Sequence, residues 1–127
     1  MNNYTIFIAI EDKQVLSKIK ILLEKDRYVT EGTDDGLKAL NAVRLKRPAL
    51  VILGDTLFRM DGFKVCRFLK FDEQFRSIPV IFLLSEQRKD DEPLAMEVGA
   101  DCCLPEPFNA ERLIEEIKKL TNPTQPL

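Results

Sequence analysis

The fold is decided by residues 48–63, which read PALVILGDTLFRMDGF. The continuous apolar run from Leu50 to Leu53 predicts a strand that is covered on both faces, as in a parallel sheet. A polar loop follows, and Asp61-Gly62 then leads into a helical pattern. In open α/β sheets the working site lies beyond the carboxyl ends of the strands. The end of this strand is therefore the first candidate for a functional site. Its last residue is Gly54 and not a carboxylate.

Strand and helix patterns alternate on both sides of this stretch. Further apolar segments predict strands over 4–10, 28–30, 80–84 and 102–104. Apolar residues at helical spacing predict helices over about 15–25, 37–43, 63–71, 93–98 and 113–120. Residues 85–91 are predicted to be a charged loop. The alternation predicts a doubly wound α/β fold with a five-stranded parallel sheet and five helices, formed by residues 1–121. Residues 122–127 hold two prolines and are expected to be a disordered tail or the start of a linker.

Size and composition exclude several classes of function. A chain of 127 residues is one domain by length, and its net charge of -2 creates no field that would recruit nucleic acid or an anionic membrane. No segment approaches the roughly 20 apolar residues of a membrane span. The odd number of cysteines, three, fits a reducing cytoplasm. The chain has no histidine, which removes the commonest general base and metal ligand.

Six short motifs occur in a characteristic order: Glu11-Asp12 after the first strand, Pro48-Ala49-Leu50, Met60-Asp61-Gly62-Phe63, Ile78-Pro79-Val80-Ile81, Gly99-Ala100-Asp101 and Pro107-Phe108. Each motif alone is weak, but their order and spacing together are specific. With them the chain resembles the receiver domain of bacterial response regulators, the flavodoxin-like phospho-acceptor module of two-component phosphorelay signalling. The resemblance covers residues 4–120.

The resemblance also implies which groups the family's chemistry needs. An aspartate at the end of the third strand takes the phosphoryl group, an acidic pair holds Mg²⁺, and a lysine after the fifth strand pairs with the phosphoryl charge. A Thr or Ser after the fourth strand couples to an aromatic residue on the fifth. This chain departs at four of those positions, which hold Gly54, Leu84, Cys103 and Glu106. It is therefore similar to a degenerate pseudo-receiver, which we expect to be a signalling module and not an enzyme.

Asp55 provides the alternative interpretation, because it lies one residue beyond the family's nucleophile position. A shift in strand register could bring its carboxylate into the pocket, and the chain would then be a true phospho-acceptor with a bound divalent cation. The spacing from Pro48 to Gly54 and from Gly54 to Asp61 already matches the family, which opposes such a shift.

Glu11 and Asp12 are the candidate metal ligands. The functional interpretation is a weak residual Mg²⁺ or Ca²⁺ site built from carboxylate oxygens, and otherwise no cofactor is expected. The simpler interpretation, which we favour, is an acidic loop that is solvated or caps the first helix. If the acids converge without a cation, like-charge repulsion should raise the pKa of at least one of them. The resemblance further implies a cis peptide at Glu106-Pro107.

Two other kinds of chemistry are disfavoured. Cys66, Cys102 and Cys103 lack the Cys-x-x-Cys spacing of redox and metal sites, so small buried cysteines are the better interpretation. Flavin binding, which the fold alone could suggest, needs a phosphate-binding loop after the first strand. Here that loop reads EDKQ over residues 11–14 and would repel phosphate.

The resemblance implies a protein partner, or a second copy of the chain, on the surface formed by the fourth helix, fifth strand and fifth helix. Carried over by position, that partner face comprises Leu94, Glu97, Val98, Cys103, Glu106, Glu115 and Lys119. Without the switch aromatic and the lysine, we expect this face to be held in one state.

Overall fold

The computed structural model describes residues 4–121 and forms one five-stranded parallel sheet with strand order β2-β1-β3-β4-β5. The strands are β1 (Thr5–Ala9), β2 (Val29–Thr33), β3 (Leu50–Gly54), β4 (Val80–Leu84) and β5 (Cys102–Pro105). The helices are α1 (Lys13–Lys25), α2 (Gly36–Lys46), α3 (Gly62–Lys70), α4 (Glu92–Glu97) and α5 (Ala110–Thr121). The predicted doubly wound α/β fold is confirmed. The predicted tail, 122–127, lies outside the described residues.

Alternate residues of the central strands bury two separate cores. Val51 and Leu53 face the core that α2, α3 and α4 cover, whereas Leu50 and Ile52 face the core that α1 and α5 cover. Because both faces are buried, every residue of β3 and β4 is buried. This explains why these two strands are continuous apolar runs in the sequence.

Aspartates cap three of the helices, among them Asp12 at the start of α1, which the simpler interpretation of the acidic loop predicts. The Asp12, Asp35 and Asp61 carboxylates each accept a backbone N–H from the first turn of α1, α2 and α3, respectively. These bonds satisfy donors that a helix start leaves unpaired. Between α4 and β5, Gly99 has a φ of 103°, which favours glycine at this helix end.

Two predicted boundaries are wrong for identifiable reasons. Residues 86–91 form a 3₁₀ segment (Glu86–Asp91) that is kinked at Arg88, whose backbone is not helical, and not the predicted charged loop. A tertiary contact stabilises it, because the Arg88 guanidinium stacks 4.6 Å from the Phe63 ring centroid and pairs with Asp91. The second strand extends to Thr33, beyond the predicted end at residue 30, because β1 pairs with it along its whole length.

None of the helices among residues 4–121 is long and apolar enough to cross a bilayer.

Candidate functional site

The carboxyl ends of β1, β3, β4 and β5 surround a pocket of about 350 Å³. Its lining is predominantly polar and consists of Ile10, Glu11, Asp12, Gly54, Asp55, Thr56, Leu83, Ser85, Gln87 and Glu106. The lining includes four carboxylates, whereas no lysine or arginine of the described chain lines it. The pocket therefore forms where the strand-end argument predicts, and its electrostatic potential disfavours an anion.

Gly54 closes β3 and contributes only backbone to the pocket. A Cβ atom built on Gly54 would lie 3.5 Å from the Ala9 carbonyl oxygen, which is an ordinary van der Waals contact. Packing therefore does not require a glycine at this strand end. A carboxylate side chain could be accommodated there, but the chain does not provide one.

Asp55 is buried, with 4% of its surface exposed, and both of its carboxylate oxygens accept hydrogen bonds. The Ser85 backbone N–H and hydroxyl each donate to Oδ2 at 2.8 Å. The Thr56 N–H donates to Oδ1 at 2.6 Å. Asp55 thus enters the pocket lining without any shift of register, because β3 ends at Gly54 and pairs in register with β4. Its carboxylate crosslinks the ends of β3 and β4.

Sequence reasoning missed Ser85. The family's hydroxyl position is Leu84, whose side chain is 1% exposed and packs in the core instead of lining the pocket. Ser85 lies one residue beyond that position, just as Asp55 lies one residue beyond the nucleophile position. Because Asp55 and Ser85 are displaced by the same single residue on neighbouring strands, their contact could have been predicted from the sequence.

Glu106 occupies the family's lysine position and lines the pocket. Its backbone N–H donates to the Leu84 carbonyl at 2.8 Å, and its peptide bond to Pro107 is cis, as predicted. Burial raises the pKa of the Glu106 carboxyl above its usual value, and the negative charges of Asp55 and Asp12 raise it further. Glu106 is therefore an acid with a raised pKa, although burial is the larger cause and the predicted like-charge repulsion the smaller one.

Glu11 and Asp12 are both exposed at the rim of the pocket. Asp12 Oδ1 accepts the Gln14 N–H at 2.8 Å and the Val15 N–H at 3.3 Å, so this carboxylate caps α1 as the simpler interpretation predicts. Within residues 4–121, no group of three or more acidic or thiol side chains is arranged to hold a metal ion.

The loop between β3 and α3 is attached to the start of α2. The Arg59 Nε donates to Asp35 Oδ2 at 2.5 Å, and this hydrogen bond lowers the pKa of the Asp35 carboxyl. The Gly36 N–H donates to the Phe58 carbonyl at 2.8 Å. These contacts fix the backbone that follows Asp55, and with it one wall of the pocket.

The thiols of the three cysteines are not activated for reaction. Cys66 and Cys102 are buried, and Cys103 is half-buried on the edge strand β5. Burial raises the pKa of the Cys66 thiol to about 12 and of the Cys102 and Cys103 thiols to about 11. Since the thiolate is the reactive form, these residues act as small apolar side chains.

The predicted partner face needs one correction. Val98 is 2% exposed and belongs to the core, where its carbonyl accepts a hydrogen bond from the Cys66 thiol at 3.5 Å. It cannot contact a partner. The remaining members of the face reach the surface to different degrees: Leu94, Cys103 and Glu106 are half-buried, and Glu97, Glu115 and Lys119 are exposed.

We expect Glu106→Gln to increase the free energy of unfolding at pH 7 by about 1 kcal/mol or less, the usual scale for partly exposed charges. The pKa of Glu106 is raised in the folded state. Ionisation of Glu106 therefore destabilises the wild-type fold as the pH rises from the pKa of this carboxyl in the unfolded state through its pKa in the folded state. The gain should vanish in acid, where the wild-type carboxyl is protonated in both states. Urea unfolding between pH 3 and 7 measures this, with Glu115→Gln as the control. A gain that does not depend on pH would contradict the electrostatic explanation.

Comparisons with known proteins identify the family and agree with the fold. The pattern of the response regulator receiver domain family matches residues 6–118. The polar-differentiation response regulator DivK of Brucella anthropi is 34% identical over 112 residues, which are 87% of this chain and 91% of that protein.

Solved structures give the same result. The receiver domain of a signal transduction histidine kinase from Syntrophus aciditrophicus is similar with a TM-score of 0.88 and 30% identity, covering 98% of this chain and 94% of that one. The receiver domain of the Francisella response regulator 1452 has a TM-score of 0.87 at 24% identity, covering 97% and 100% of the two chains, and this likeness concerns the fold alone.

Proposed function

This chain belongs to the response regulator receiver domain family of two-component signalling, and from that premise we propose that it transmits its signal through protein contacts without accepting a phosphoryl group. One observation carries the proposal. The strand end that supplies the family's nucleophile is Gly54, inside a pocket whose charged side chains are all carboxylates.

Phosphoryl transfer requires a positioned nucleophile and positive charge on the phosphoryl oxygens. Gly54 has no nucleophilic atom, and Glu106 replaces the lysine that would neutralise charge. Leu84 is buried in the core and offers no hydroxyl. A phosphodonor would enter a pocket that carries four carboxylates, so both binding and transfer are disfavoured.

A second candidate function rests on Asp55, which lines the same pocket as Glu11 and Asp12. A phospho-accepting Asp55 would use those acids to hold a divalent cation, a site that the capping bonds of Asp12 weaken. A nucleophilic oxygen must also be accessible, whereas Asp55 is 4% exposed and both of its oxygens accept hydrogen bonds. A phosphoryl group on Oδ2 would displace the two Ser85 donors, and one on Oδ1 would displace the Thr56 N–H. These contacts favour the first proposal.

The proposed partner surface is formed by the exposed residues of α4, β5 and α5, among them Glu97, Glu115 and Lys119. In the family this surface changes when the pocket is phosphorylated. Here the Ser85–Asp55 bonds and the stacking of Arg88 on Phe63 hold the connection between β4 and α4. The face is therefore presented in one arrangement, and binding does not depend on a phosphodonor.

We expect the immobilised chain to capture the same proteins from an extract of its source cells with and without acetyl phosphate. Reversing two exposed charges, in Glu97→Arg/Lys119→Glu, should reduce the captured amount at least tenfold, because misplaced like charges cost several kcal/mol at an interface. Lys38→Glu on α2 serves as the control and should leave capture unchanged. Retention of every partner by the double variant, or capture that requires acetyl phosphate, would contradict the proposal.

A further inference from the structure

A second concave surface lies at the C-terminal ends of α2 and α3. It has a volume of about 640 Å³ and shares no lining residue with the acidic pocket. We call it the α2–α3 groove, and its main lining residues are Arg44, Arg67, Phe68, Phe71, Asp72 and Glu73.

The groove exposes aromatic side chains that water solvates poorly. Phe68 and Phe71 are 46% and 67% exposed, and their spacing of three residues places them on one side of the end of α3. Leu45, which follows Arg44 on α2 and lies outside the groove lining, is 81% exposed. By contrast, Met96 is the one large apolar side chain of α4 or α5 that is exposed among residues 4–121. Phenylalanine and arginine together are typical of the buried centre of a protein interface.

The charges of the groove favour a second copy of this chain as the occupant. It carries two arginines and two acids, so its net charge is close to zero. Within the described chain Arg44 forms no ion pair or hydrogen bond through its side chain, and Arg67 only stacks 5.5 Å from the Phe71 ring centroid. Glu73 likewise has no ion pair there. With charges of both signs around an apolar centre, the arginines of one copy can face the acids of another. A two-fold symmetric interface requires this kind of self-complementarity.

We propose that the α2–α3 groove binds the same groove of a second copy of this chain. Phe71 of each copy fills the groove of the other, and the arginines of one copy face Asp72 and Glu73 of its neighbour. This dimer goes beyond the proposed function, since it involves neither the acidic pocket nor the partner face on α4, β5 and α5. Its failure would leave that function unaffected.

Sedimentation equilibrium of the full chain tests the proposal. From about 1 µM to 1 mM the weight-average mass should rise from the monomer value of 14.6 kDa toward twice that value. Phe71→Asp should weaken dimerisation at least about 100-fold, because each substitution occurs twice in a symmetric interface. Ile21→Asp on α1, where Ile21 is 55% exposed, is the matched control and should leave dimerisation unchanged.

Mixing two charge variants tests the symmetry separately from the fold. Arg44→Glu/Arg67→Glu makes the groove acidic and Glu73→Arg makes it basic, so each variant repels its own copy. Each alone should dimerise at least tenfold more weakly than the wild type, and an equimolar mixture should recover dimers of the two variants. A wild-type chain that stays monomeric at about 1 mM would overturn the proposal and leave the groove to a different protein. Equal losses in Phe71→Asp and Ile21→Asp, or no recovery on mixing, would overturn it as well.

Discussion

The Gly54→Asp/Glu106→Lys variant is expected to accept a phosphoryl group from acetyl phosphate in the presence of Mg²⁺. Space for the new side chain exists, because a Cβ atom on Gly54 meets the Ala9 carbonyl at 3.5 Å. Replacing Glu106 by lysine removes a repelling carboxylate from the pocket and supplies a cation for the phosphoryl oxygens. Intact mass should increase by about 80 Da, the mass of one phosphoryl group, in most of the protein.

Two control variants separate the contributions of the two residues. Gly54→Asp alone places a fifth carboxylate among Glu11, Asp12, Asp55 and Glu106, and it should be labelled at least tenfold less than the double variant. Gly54→Asn/Glu106→Lys has the cation without a nucleophile and should not be labelled. An unlabelled double variant would contradict the account, because Gly54 and Glu106 would then not be the decisive losses.

The second large effect concerns the fold next to the site. Gly62→Ala is expected to reduce the free energy of unfolding by about 3 kcal/mol or more, the range for severe overpacking of a core. A Cβ atom on Gly62 would lie 1.9 Å from the Gly54 carbonyl oxygen, which is backbone and cannot rotate away, and 3.3 Å from the Phe82 ring. The Gly62 N–H also donates to the Asp55 carbonyl at 2.8 Å, so moving α3 away would break this bond.

Gly54→Ala is the matched control for Gly62→Ala. Its Cβ makes only ordinary contacts, so its effect should remain within about 1 kcal/mol. Urea unfolding of the two variants measures both changes. Similar losses would contradict the structure around Gly54, because the glycine would then be required for packing and its presence would say nothing about phosphorylation.

The central part of the fold could be predicted because its signals are local. The apolar runs of β3 and β4 follow from burial on both faces, and Asp35 and Asp61 cap helices through bonds to their own neighbours. The full length of β2 could not be predicted, since Glu31 and Gly32 are held in the edge strand by pairing with β1. The kinked 3₁₀ segment includes Arg88, which contacts the Phe63 ring, and this tertiary contact cannot be read from the sequence.

The residues of the candidate site also fall into a predictable and an unpredictable group. Gly54 and Glu106 could be placed from motif spacing, since each lies at a defined distance from a strand end. The bonds between Asp55 and Ser85 could not, because the two residues are 30 positions apart and meet only when β3 and β4 pair. Position in the resembled family places Val98 on the partner face, and α4 with its six residues is too short for a periodic pattern to separate a buried side from an exposed side.

Intact mass spectrometry of the wild type shows whether the native chain accepts a phosphoryl group. The chain is incubated with acetyl phosphate and Mg²⁺ beside the Gly54→Asp/Glu106→Lys variant, which reports that the reagent is active. We predict an unchanged mass for the wild type under conditions that label the variant. A wild-type adduct of about 80 Da that disappears in Asp55→Asn would contradict the account and establish Asp55 as the phospho-acceptor.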